Sequence, residues 1–210
     1  MTASTYFKDP KGTWNGRYAG DEFLFGTEPN EWLRAHTNLF KPGDRVLSVA
    51  DGEGRNSVWL ARHGCAVDAF DISDVGVDKA RRFAAAQGVS VNLSVSNVEN
   101  FAWPVDTYDG VVAIFIQFAD PALRRQLFAR IVASLKPGGV LVLQGYAPKQ
   151  LEYKTGGPPE IAHLYTEPML REAFADLDIL EVREYEAELS EGARHRGTSA
   201  LIGMVARRRE

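Results

Sequence analysis

The sequence predicts a doubly wound α/β domain on a mostly parallel seven-stranded sheet, with an antiparallel hairpin at one edge. Three observations predict it. From residue 45 to residue 144, short apolar runs alternate with stretches of helical period, the pattern of parallel strands joined by crossover helices. The first run empties into a glycine-rich turn that opens a helix. The last two apolar runs have no helix between them, so they pair as a hairpin.

Residues 1–38 are rich in glycine, aromatics and charge and read as an irregular or partly helical lead-in, a lid over the rest of the domain. The turn Lys41-Pro42-Gly43-Asp44 delivers the first strand, Arg45 to Ala50. A helix from about Asn56 to His63 stops at Gly64. Ala66 to Phe70 is the second strand and ends at Asp71. Ser73 or Asp74 caps the next helix, which carries Val77, Ala80 and Ala84 on one face until Gly88 stops it. Val91 to Val95 is the third strand. Tyr108 to Phe115, apolar almost throughout, is the fourth, covered on both faces. Asp120-Pro121 reads as cap and first helical residue, and Leu123, Leu127, Ile131 and Leu135 line one face of the helix. Lys136-Pro137-Gly138-Gly139 turns into the strand Val140 to Gln144. Residues 145–165 have no clear period, and a stretch of about twenty such residues inside a domain is more often a lid than a spacer. Thr166 caps a helix through Phe174, and strands near 180–189 and 199–206 close the chain.

Length and composition bound the class. The 210 residues suit one domain, predicted over 1–210, and 45% hydrophobic with 25% charged residues allows a full core. The net charge of −4 and the absence of a basic stripe argue against a nucleic-acid partner. Cys65 is the sole cysteine, so neither a disulfide framework nor a cysteine metal cluster is expected, and no acidic or histidine cluster has ligand spacing. The start Met1-Thr2-Ala3-Ser4 lacks a basic-then-apolar leader, and 18 apolar residues never run together. The expectation is a cytoplasmic protein with no membrane contact.

The chemistry gathers at two places. In Val46-Leu47-Ser48-Val49-Ala50-Asp51-Gly52-Glu53-Gly54-Arg55-Asn56, a strand feeds a turn whose glycines let a ligand approach the backbone, with free amides at the helix start. A plain tight turn is the alternative. Asp71, at the end of the next strand about twenty residues on, can accept both hydroxyls of an adenosine ribose. It could also be an ordinary cap, although Ser73-Asp74 already supplies one. Together the two favour a nucleoside site. No third glycine completes G-x-G-x-x-G, which disfavours an NAD-dependent oxidoreductase, and no G-x-x-x-x-G-K-[ST] is present.

The Val46–Asn56 run resembles the first motif of the class I S-adenosylmethionine-dependent methyltransferases, and Leu135 to Gly139 their LKPGG turn. Asn15-Gly16-Arg17-Tyr18, Phe25 to Asn30, Tyr153 to Pro158 and Glu191-Gly192 with His195-Arg196-Gly197 resemble the tellurite-resistance-type, small-molecule members of that group. The resemblance implies a Rossmann-like fold, S-adenosyl-L-methionine as cofactor and a small-molecule acceptor. It places Ala50, Asp51, Gly52, Gly54 and Asn56 around the cofactor, Asp71 and Ile72 at the ribose, and Asn97 with Val98 at the adenine. Phe115 falls at the methyl end, with Trp14 and Tyr18 over the methionine. In departure from the family, Ser48 stands where an acid is usual and Ala50-Asp51 replace a glycine and a small residue; Asp51 is expected to supply the charge instead.

Methyl transfer from a sulfonium is an in-line displacement that needs alignment more than catalytic groups. Trp14, Tyr18, Phe25, Tyr146 and Tyr153 are the predicted aromatic walls, and residues 10–30 and 146–160 the predicted mobile lids. Tyr18 and His195 are the catalytic candidates; His163 could also take a proton, though both histidines are expected at the surface. Two readings stay open at this point. One is an enzyme methylating a small acceptor; the other is an accessory protein that binds S-adenosylmethionine or S-adenosylhomocysteine with a degenerate cleft, as the changes at Ser48 and Ala50 would suggest. The residues do not give the acceptor or the oligomeric state.

Overall fold

The computed structural model describes residues 8–192 and 194–210; residues 1–7 of the predicted lead-in lie outside the described residues. The lead-in holds two helices, α1 (Pro10–Tyr18) and α2 (Glu31–Ala35). Strand and helix then alternate as β1 (Arg45–Val49), α3 (Arg55–Arg62), β2 (Ala66–Asp71), α4 (Asp74–Ala86), β3 (Asn92–Val95), β4 (Tyr108–Ile114), α5 (Pro121–Ser134) and β5 (Leu135–Tyr146). Short α6 (Gln150–Tyr153) and α7 (Glu167–Ala173) precede the closing strands β6 (Leu177–Glu191) and β7 (His195–Arg208).

The seven strands form one sheet in the order β3-β2-β1-β4-β5-β7-β6. All neighbours are parallel up to β5, and β7 runs antiparallel to both β5 and β6. The chain moves outward one way from β1 through β2 to β3, then returns to lay β4 on the other side of β1. Beyond the carboxyl ends of β1 and β4 the crossovers therefore diverge and leave a crevice. Both sheet faces are covered. In β1, Val46 packs with Trp32, Leu33, Phe40 and Leu60, while the next residue, Leu47, joins Val111, Leu141 and the helices α5 and α7. Such two-sided burial is why β1 and β4 read as continuous apolar runs.

Local chemistry starts the helices where the sequence suggests. Ser73, not Asp74, is the cap of α4, accepting from Gly76 N at 3.0 Å. Asp120 accepts from the Ala122 and Leu123 amides ahead of α5. Three stretches differ from expectation. The Lys136–Gly139 turn lies inside β5, because Leu135 already pairs with Tyr108 before a register break to the Gly110–Val140 pair. The hairpin runs further than its apolar patches, to the Glu191–His195 pair, since main-chain bonding continues past the last alternating residues. Residues 146–165 are pinned by side chains bonding main chain: Gln117 joins Tyr146 N, Tyr146 O and His163 O, and Gln150 accepts from Ala200 N. Such bonds leave no periodic trace in a sequence.

Candidate functional site

The crevice at the strand ends is a cavity of about 750 Å³, within the range of small-molecule sites. Its floor is the β1–α3 turn. Ala50, Gly52 and Gly54 all take the left-handed region, with φ of 50°, 64° and 94°. Asp51 sits buried beneath the turn, where Ser48 Oγ donates to its Oδ1 at 2.7 Å, Ser57 N donates to the same oxygen at 3.2 Å, and Ser57 Oγ donates to Oδ2. Ser48 thus holds the acid that stands three residues later. Asp71, at the end of β2, accepts from Gly52 N at 2.9 Å and from Ser73 N at 2.8 Å. Burial pushes both carboxyls up; that of Asp71 reaches about 6, with the amides of Ser73 and Gly52 opposing and the Asp51 charge adding to the rise.

The lead-in roofs this end. Trp14 and Tyr18 stack with centroids 5.3 Å apart, and Phe25 lies edge-on to Tyr18. A Cβ on Gly52 would stand 2.7 Å from the Tyr18 hydroxyl, so the glycine is what lets Tyr18 reach the turn. One buried ion pair moors the segment. Lys79 of α4 meets Glu53 at 2.5 Å and donates to the carbonyls of Gly20 and Glu22 at 2.8 and 2.7 Å, while Glu53 accepts from Leu24 N. Asn15 and Lys11 also reach Asp74 on α4.

The far end of the cavity is a box of rings. Phe115, itself at φ 55°, Tyr146, Phe25 and His195 surround it, and His195 stands 4.4 Å from both phenylalanine centroids. Behind the box, Glu191 pairs with Arg55 at 2.9 Å and accepts from Asn30 at 3.0 Å, with His195 Nδ1 at 3.2 Å. Burial alone would raise the Glu191 carboxyl, but the His195 bond and the Arg55 charge hold it down at about 2. His195 is pushed below the ordinary histidine value, by burial first and by Arg55, against the pull of Glu191.

Residues 46–139 match the family described as a methyltransferase domain. That segment is similar to a methyltransferase domain, and the whole chain shares the fold of solved S-adenosylmethionine-dependent methyltransferases. It is 30% identical over 159 residues to the ribosomal protein L11 methyltransferase of Campylobacter concisus, an alignment covering 74% of this chain and 48% of that protein. Among solved structures, TehB from Haemophilus influenzae superposes with a TM-score of 0.71 at 17% identity, over 95% of this chain and 67% of that one. The N-methyltransferase NodS from Bradyrhizobium japonicum, in complex with S-adenosyl-L-homocysteine, gives 0.70 at 16% identity, over 95% and 98%. These likenesses share the fold. The chain spans about half the length or less of the curated relatives it matches, whose names include ribosomal-protein, ribosomal-RNA and tRNA methyltransferases.

In this methyltransferase fold, Trp14, Tyr18, Ala50, Asp51, Gly52, Asn56, Asp71, Ile72, Asn97, Val98, Phe115 and His195 all line the one cavity. Gly54 does not. A Cβ there would lie 2.9 Å from Ala80 Cβ, so this glycine serves the packing of the turn on α4. Asn97 lines the cavity, yet its Oδ1 accepts from Asn100 N at 2.8 Å and so also closes a turn. Tyr153 is not in the wall; it lies against Lys149. Neither His163 nor His195 is at the surface. His163 is buried with Nδ1 at 3.1 Å from the Gln117 carbonyl, outside the cavity, because it ties down the 146–165 segment. Sequence reasoning missed Glu53, Lys79, Arg55, Glu191 and Asn30. Glu53 and Arg55 sit within the motif itself, and charge at buried motif positions was the available signal; nothing local links Asn30 to a partner 161 residues away. Among the described residues no group of acidic, histidine or cysteine side chains could hold a metal ion, and no helix is long and apolar enough to cross a membrane.

Proposed function

We propose that this chain transfers the methyl group of S-adenosyl-L-methionine to a small-molecule acceptor, acting as one domain with residues up to about 38 as its lid, in the cytoplasm. One observation carries the reading. A single cavity joins an acid-lined end, at Gly52, Asp51 and Asp71, to a ring-lined end at Phe25, Phe115 and Tyr146, which supports a nucleoside at the first and the methyl group at the second. The residues fit the cofactor on their own chemistry. Asp71, buried beside a turn that brings backbone close, would accept from the ribose hydroxyls, with Ile72 beside it. Val98 would lie against the adenine and Asn97 at its edge. Asp51 and the roof of Trp14 and Tyr18 would hold the methionine part, while Asn56 supports the roof by accepting from Asn30 N at 3.0 Å. The bound sulfonium supplies an electrophilic methyl group, and aromatic faces tolerate its charge.

The protein's contribution is then to align acceptor and methyl and to exclude water. Tyr18 suits a wall or hydrogen-bond donor, since burial first and the charges of Asp71, Glu53 and Asp51 hold its hydroxyl protonated. The roof supports a small acceptor: Trp14, Tyr18 and Phe25 line the cavity on one side and Gly156 to Pro159 on the other, favouring a compact molecule over a folded macromolecule. The accessory-protein reading rests on Ser48 and Ala50, yet Ser48 donates to Asp51, so the turn still holds an acid. Release of S-adenosylhomocysteine against a panel of small acceptors, with tRNA, ribosomal RNA and ribosomal protein alongside, tests the proposal. Release with a macromolecule alone would overturn the acceptor class.

A further inference from the structure

Three segments far apart in sequence meet in one buried polar cluster behind the ring box. Its hub is Glu191: one oxygen serves Asn30 Nδ2 at 3.0 Å, the other Arg55 Nη2 at 2.9 Å, and His195 Nδ1 lies 3.2 Å away. Asn30 comes from the lead-in, Arg55 from the start of α3 just after the turn that forms the cavity floor, and Glu191 and His195 from the end of the hairpin. The whole cluster is buried, with His195 only 8% exposed, and His195 also lines the cavity. A carboxylate at Nδ1 fixes the ring proton there and leaves Nε2 with its lone pair. Nε2 makes no hydrogen bond among the described residues.

We infer that His195 is the general base of the transfer, and that the acceptor is therefore a weakly acidic hydroxyl or thiol on a small apolar or aromatic body. The inference rests on the methyltransferase reading above and names its substrate class. The acceptor's O–H or S–H bond breaks with the proton passing to Nε2, and its electron pair forms the new bond to the methyl carbon. The carbon–sulfur bond breaks with its pair left on sulfur, and the positive charge ends on the imidazolium, which later releases its proton to solvent. Glu191 is the positioning residue: it sets the tautomer and faces the charge when it arrives. The charged and titratable groups that face the ring are Glu191 from its own hairpin, Arg55 from α3 and Tyr146 from β5; Phe25 and Phe115 present only rings. Burial first, and the Arg55 charge after it, oppose protonation before the acceptor binds, so the base stands ready as the neutral form.

The test begins with the imidazole. The protein has four histidines, and the His195 signals are those lost in His195→Gln. In the complex with S-adenosylhomocysteine, nitrogen shifts from about pH 5 to 9 are expected to show a neutral, Nδ1-protonated ring at neutral pH, titrating below the ordinary histidine value. Turnover is then measured with phenol, benzenethiol and 4-nitrobenzenethiol as probes. His195→Gln should lose about a hundred-fold in kcat on phenol, little in KM, and far less on the already ionised nitrothiol. Glu191→Gln should move the acid limb of the kcat profile to lower pH, which a purely structural role would not do. An Nε2-protonated or cationic ring at neutral pH overturns the inference, as does equal loss on ionised and un-ionised probes. Binding of S-adenosylhomocysteine without turnover of any hydroxyl or thiol probe overturns the acceptor class. Failure of wild type to bind S-adenosylhomocysteine by calorimetry would instead sink the methyltransferase reading beneath it.

Discussion

Two glycines two residues apart in the β1–α3 turn do different work. Gly54 faces Ala80, so Gly54→Ala should cost roughly 1–3 kcal/mol of stability through overpacking and a strained φ, seen as a lower urea midpoint. Ala50 holds φ 50° where a glycine would rest more easily, and Ala50→Gly is expected to raise stability by about 0.5–1 kcal/mol in the same assay. Asp71→Ala should weaken cofactor binding by about 1.5–3 kcal/mol, on the order of ten- to a hundred-fold. Because burial raises Asp71 to about 6, its contribution to folding is full below the ordinary carboxylate value and is lost as pH rises through 6. Ribose binding needs the ionised form, so cofactor affinity should fall as pH drops below about 6, and Asp71→Asn should flatten that fall in calorimetry. Gly52 and Asp71 were legible in the sequence because turn glycine and strand-end acid each have a local signature. Glu191 and Arg55 were not, since each is an ordinary charged residue until the hairpin end and the turn meet.

Among the elements, the lead-in is moored more firmly than its irregular sequence suggests. The sequence predicts a mobile lid over residues 10–30, but Lys79 binds three carbonyls of that segment and pairs with Glu53 inside the protein. Lys79→Met leaves Glu53 buried without its cation and should cost about 3–5 kcal/mol. Hydrogen exchange should then quicken across residues 18–24, with β1 and β4 unchanged; uniform quickening would mean that the pair supports the whole fold and not the roof. Asp74, a cap candidate by sequence, takes Asn15 and Lys11 instead, so Asp74→Ala should loosen α1 while leaving α4 intact. Parallel strands and crossover helices were plain in the apolar rhythm. The length of the hairpin was not, since its far end is held by main-chain pairing between polar residues such as Ser190 and Arg196.

Across the molecule, the strand order puts the floor turn, Asp71 and the ring box at the carboxyl ends of the strands, and the extended hairpin carries Glu191 and His195 to the same place. The sheet and its glycine-rich turn followed from the sequence; the wiring of the box did not, because Glu191 meets Asn30 and Arg55 across more than a hundred positions. Everything proposed for the cavity requires the cofactor's nucleoside to lie on the Gly52 turn beside Asp71. A Cβ at Gly52 would meet the Tyr18 hydroxyl at 2.7 Å and fill the space a ligand needs. Calorimetric titration of S-adenosylhomocysteine into wild type and Gly52→Val, with circular dichroism to establish that both are folded, tests that placement. Saturable one-site binding to wild type and none to the variant is the predicted result; equal binding to both would contradict the placement of the site.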